Sequence, residues 1–87
     1  MSDTPAQAEA TAETVEFKHF DRTWHAPAKS RLSHQRRLRR DPSNVGLVDT
    51  YLPPEEIEVL DEIDPTDEEL DAFTDDLLEA MGLKGNS

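Results

Sequence analysis

The order of the charges constrains this chain more than any other feature. Residues 18–40 hold eight of its nine Lys and Arg residues and one acid, Asp21. Residues 41–83 hold fifteen acids and no base. Residues 1–17 are acidic too, and the formal net charge is −11. A chain arranged in this way folds its basic segment against its acidic one, or offers the two to different partners. Its means of folding are limited. With 87 residues, 34% apolar and 33% charged, it has material for one small domain near the border with disorder.

Local patterns divide the chain into pieces. Residues 1–13 lack the apolar side chains that offset the cost of ordering and read as a disordered tail. They also lack the basic and apolar regions of a secretory signal. No apolar run approaches the roughly 18 residues of a membrane span. A cytoplasmic location without membrane contact is therefore expected. Residues 14–27 read as a β-hairpin with a loop at Asp21-Arg22, or a longer one, because Arg22 suits a tight primed turn poorly. The period of two puts Val15, Phe17, His19, Trp24 and Ala26 on one face. A lone hairpin is marginal in water, so this face needs a cover.

Residues 28–40 read as a short basic helix, and residues 41–52 as a connector holding Pro42, Ser43, Asn44 and Gly46. An acidic helix over 53–63 starts at Pro53-Pro54 and carries Ile57, Leu60 and Ile63. Asp64-Pro65 stops it. A second acidic helix over 67–81 opens with the capping box Thr66-x-x-Glu69. Its first turn is acidic, as the dipole favours, and Gly82 closes it. The two should form an acidic helical hairpin, and residues 84–87 a flexible end. The expected fold is small α+β: a hairpin, then short helices.

Chemistry-bearing constellations are sparse. There is no Cys, hence no thiolate zinc site, disulfide or cysteine nucleophile. The acids around 61–71 lack the glycine bend of a calcium loop. His19, His25 and His34 read as packing or surface residues. No nucleophile elbow or glycine-rich loop is present, so no enzyme, metal or cofactor is expected. Two features remain. Arg31, Arg36, Arg37, Arg39 and Arg40 form a basic patch, which fits an internal charge match or a phosphate backbone. The stripe Leu70, Phe73, Leu77 and Met81, with Phe17 and Trp24, fits the chain's own core or a face for a partner or a second copy.

Two stretches and the chain's end resemble tail assembly chaperones of long-tailed, siphovirus-type phages. One runs from Glu16 through Phe17, Phe20, Arg22, Thr23 and Trp24 to Pro27. Another, Pro65-Thr66-Asp67-Glu68-Glu69-Leu70-Asp71-Ala72-Phe73, opens the last helix. The Gly85-Asn86-Ser87 ending is the third. The resemblance implies a non-catalytic protein that binds the tape measure protein and keeps it soluble until tail-tube polymerisation. It also implies residence in the host cytoplasm and absence from the mature virion. Such chaperones are often also made in an extended form by a −1 ribosomal slip. Lys84-Gly85-Asn86 is compatible with the slippery string G GGA AAC. Two other readings stand beside it: a small acidic adaptor or regulator of a cellular protein, and a nucleic-acid-associated protein using residues 29–40.

Overall fold

Two strands open the fold, β1 (Thr14–His19) and β2 (Arg22–Pro27), in an antiparallel pair. Four helices follow: α1 (Leu32–Arg40), α2 (Asn44–Tyr51), α3 (Pro54–Ile63) and α4 (Asp67–Ala80). This is the expected small α+β architecture, except that α3 packs on α2, and α4 on β1 and α2, rather than the two packing on each other as an acidic helical hairpin. The structure, a computed structural model, describes residues 14–83. The readings of residues 1–13 as a tail and of 84–87 as a flexible end lie outside them.

The hairpin closes one residue earlier than expected. Its loop is Phe20-Asp21, both at positive φ (50° and 60°), and Phe17 pairs with Trp24 and Val15 with Ala26. Both loop residues therefore have the left-handed backbone of a type I′ turn. Asp21 tolerates this conformation in either loop; the change is that Phe20 takes the second left-handed position and Arg22 joins β2. Arg22 instead lies over the Trp24 ring, 5.6 Å from its centroid. The new pairing moves each partner by two positions. An even shift keeps the faces, so Phe17, Trp24 and Ala26 are buried together as their spacing predicts.

α4 covers that face. Phe73, with no exposure, meets Phe17, Trp24 and His19 edge-on at 5.4, 4.9 and 5.4 Å between ring centroids. Phe20 stacks on it at 5.9 Å. This contact offsets the strain of holding a bulky residue at positive φ, of the order of 1–3 kcal/mol. Both ends of α4 follow the expected devices. Thr66 Oγ1 accepts from the Glu69 N–H (3.1 Å), and Glu69 Oε1 accepts from the Thr66 N–H (2.9 Å). At the other end Gly82 has φ 74°. The Leu83 N–H donates to the Leu78 carbonyl, and the Gly82 N–H to that of Glu79, which is a Schellman motif.

The expected connector is instead a helix. α2 buries Gly46, Val48, Thr50 and Tyr51 and lies against α1, α3 and α4. Ser43 caps it, accepting from the Gly46 N–H. Gly46, which reads as a loop glycine, is a packing glycine: a Cβ there would sit 1.8 Å from the Asp41 carbonyl oxygen. The polar N-terminus of α2 is tied down by side chains. Asn44 Nδ2 donates to Asp71 (2.8 Å), and Thr74 Oγ1 donates to Asn44 (3.2 Å).

Two further expectations shift. The basic helix starts at Leu32, and residues 28–31 stay outside it. On α3, Leu60 is buried and Ile57 packs against the core, but Ile63 is exposed.

Candidate binding surfaces

Most side chains proposed from sequence for partner binding lie in the interior. Trp24, Phe73 and Leu77 have no exposure, Met81 has 6% and Phe17 has 9%. They form the chain's own core, because the hairpin and α4 need each other's apolar faces. A partner reaches them only by opening the fold. Leu70 is the exception. It stands half-buried at the edge of a groove.

That groove, of about 150 Å³, lies between α2, α3 and the start of α4. Val45, Val48, Leu60 and Leu70 give it an apolar lining, while Asp49, Asp61 and Asp64 supply carboxylates. Pro65 completes it. Val45 is 53% exposed, so the lining continues onto the open surface. The groove adjoins the C-terminal end of α3, whose last turn carries no base. The negative end of the helix dipole and the three carboxylates therefore act together there. Asp64 caps α3 in the left-handed conformation (φ 54°), one that Asp tolerates. No sequence motif announces this groove, because its residues are drawn from three helices.

The basic patch is elsewhere, on α1 and its N-cap Arg31, and α1 has no fully buried residue. Arg31, Arg36, Arg37, Arg39 and Arg40 are all exposed. No ion pair joins Arg36, Arg37, Arg39 or Arg40 to a described acid, so among the described residues these four do not make the expected internal charge match. Arg37, Arg39 and Arg40 sit in the last turn of α1, where cations suit the dipole. α1 is held by neutral contacts on its inner side. Ser30 Oγ and the Tyr51 hydroxyl are 2.8 Å apart, and the His34 ring lies 5.0 Å from that of Tyr51.

Histidines make the described contacts between the basic segment and the acids instead. His19 Nδ1 is 2.7 Å from Asp76 Oδ2, joining β1 to α4. His25 joins β2 to α3: its N–H donates to Glu56 Oε1 (2.8 Å), and its Nδ1 lies 2.5 Å from Glu56 Oε2. Glu16 stands 3.5 Å from the other ring nitrogen of His25. The hydrogen bond to Glu56 raises the His25 pKa from its usual 6.5, against a smaller opposing effect of burial, and the charges of Glu56 and Glu16 add to the rise. His34 is the reverse case. Burial lowers its pKa, helped by Arg37 and Arg31, and its Nδ1 accepts from the Arg31 N–H at 2.9 Å.

Among the described residues, no three His, Asp or Glu side chains are grouped to hold a metal ion, and no helix is long and apolar enough to cross a membrane. No protein family, curated protein or solved structure matches this chain.

Proposed function

We propose that the protein is a non-catalytic tail assembly chaperone of the siphovirus type, which binds the tape measure protein and keeps it soluble until the tail tube polymerises. The observation that carries this reading is the apolar surface left on the acid-rich half. Val45, Ile63 and Leu83 stay exposed there although the core is closed around Phe73. Exposed apolar groups set among carboxylates can cover a sticky segment while the net charge keeps the complex in solution. Weak contacts serve the task, because many copies act side by side and must later leave. The protein then works in the host cytoplasm and is absent from the virion. An extended form arises where the gene reads AAG GGA AAY at Lys84-Gly85-Asn86, with an open −1 frame beyond.

Co-expression with the product of the long reading frame next to this gene tests the proposal. The partner should move to the soluble fraction and co-purify. It should do so less with Ile63→Glu and Leu83→Glu, which leave the core intact. An insoluble partner with the wild-type chain refutes the reading.

One observation favours a second reading. Arg36, Arg39 and Arg40 are exposed and pair with no described acid, as a nucleic-acid-binding helix requires. Salt-sensitive binding of duplex DNA or RNA, lost on Arg36→Glu with Arg40→Glu, would establish it.

A further inference from the structure

The outer face of α1 and the groove are opposites in charge and match in polarity pattern. Leu32 is 66% exposed. Steps of four along the helix place Arg36 and Arg40 behind it, with Arg39 alongside. This is an apolar knob followed by guanidinium groups. The groove is an apolar lining followed by carboxylates: Val45 and Leu60 against Asp49 and Asp61. No ion pair occupies Arg36, Arg39, Arg40, Asp49 or Asp61 among the described residues. No α1 residue lines the groove, so a single copy does not bring the two together.

The groove's occupant must be cationic, and the chain's composition narrows the source. Residues 1–13 carry Asp3, Glu9 and Glu13 and no Lys or Arg, so that segment has no cationic side chain to offer. Lys84 is the only base after Arg40. The concentrated positive charge is α1 itself, and its inner side is committed to Tyr51 through His34.

We infer that the groove of one copy receives the outer face of α1 from a second copy, with Leu32 on the apolar lining and Arg36 and Arg40 beside the carboxylates. Knob and groove are different surfaces. The contact therefore builds a reciprocal pair, a closed ring or an open head-to-tail chain. At −11 per copy, long-range repulsion opposes it. The contact is weak, and it is read best at about 0.15 M salt, where charges more than about 8 Å apart are screened. This inference goes beyond the chaperone reading and does not depend on it.

Sedimentation equilibrium of the full chain at that salt, over a hundredfold range of concentration, tests it. The wild-type mass should rise above the monomer with concentration. Arg36→Glu with Arg40→Glu reverses the knob, and Asp49→Lys with Asp61→Lys reverses the groove. All four positions are exposed. Each double variant alone should associate at least tenfold more weakly, and an equimolar mixture of the two should recover wild-type association. Recovery in the mixture requires both variants to be folded. Leu32→Ala, which alters no charge, should weaken association severalfold, and Lys84→Glu should leave it unchanged. A wild-type chain that stays monomeric throughout overturns the inference. So does a mixture that fails to recover, or an association lost with Lys84→Glu, which would make the C-terminal segment the occupant.

Discussion

The hairpin and α1 are neighbours in sequence and share six of the chain's nine Lys and Arg residues, yet they are held in opposite ways. The hairpin is held by its apolar face, with Trp24 and Phe17 against Phe73, and by two imidazole–carboxylate contacts, His19–Asp76 and His25–Glu56. α1 has no fully buried residue and reaches the core only through the half-buried His34 and Leu38, and its four arginines meet no described acid. Complementary charge in sequence is thus a poor guide to which groups pair. A short imidazole on a strand is carried to the helix by the packing of its neighbours. A long guanidinium on an outer helix face has only solvent around it, and ordering it there costs rotamer entropy.

The comparison breaks first at Phe73. Truncating a buried Phe costs about 3–5 kcal/mol, and a carboxylate at that position adds the cost of a buried charge. Against a total of about 5–15 kcal/mol for a native domain, Phe73→Asp should abolish cooperative melting and leave Trp24 fluorescence exposed to solvent. Trp24→Ala should lower stability by about 3–5 kcal/mol in urea unfolding. A Phe73→Asp chain that melts like the wild type would mean that α4 does not cover the hairpin.

The joint between α1 and α2 offers the next test at Gly46, with Gly82 beyond α4 as its comparison. Gly46→Ala drives a Cβ into the Asp41 carbonyl, and relieving such overpacking costs about 1–3 kcal/mol. Gly82→Ala meets nothing within 4 Å and bears only the left-handed backbone penalty, about 1–2 kcal/mol. Thermal melts should show both variants destabilised. Only Gly46→Ala should also broaden the NMR signals of Arg39 to Asn44.

Legibility from sequence follows the range of the interactions. The hairpin face, the Thr66 box and the Gly82 cap depend on residues a few positions apart, and each is present. The loop moved by one residue because its choice turned on the stacking of Phe20 against a helix more than fifty residues away. α2 was hidden because Pro42, Ser43, Asn44 and Gly46 together spell a connector, and only the approach of Asp41 makes Gly46 a packing residue. The spacing of Val48, Tyr51 and Leu52 behind the cap Ser43 is the signal that could have found it. The histidine contacts span 57 and 31 positions, and the groove draws on three helices. No local pattern encodes either.

Acidity should separate the two regions by sign. The folded pKa of His25 is raised, so its contribution is fully present below the ordinary value of about 6.5 and is lost as pH rises through the folded value. The folded pKa of His34 is lowered, so its contribution is present above about 6.5 and fades as pH falls through the folded value. Melts across that range should show His25→Gln losing stability mainly on the acid side. His34→Gln should lose the acid sensitivity, because a Gln at this position can still accept from the Arg31 N–H. Two variants with the same pH response would remove the distinction.

The smallest effect is expected on α1, and it is the sharpest test of the contrast. Arg36 is exposed in mid-helix and pairs with no described acid, so Arg36→Ala should change stability by no more than about 0.5 kcal/mol. Arg40 lies in the last turn, where a cation offsets the carbonyl end of the helix by about 0.3–1 kcal/mol at low ionic strength. Arg40→Ala should therefore cost slightly more than Arg36→Ala in dilute buffer, with the gap closing as salt is added. Equilibrium unfolding of both variants at low and at physiological salt measures that gap. If Arg36→Ala costs more than 1 kcal/mol at either salt, the arginines hold α1 in place after all, and the hairpin and the basic helix are secured by the same kind of force.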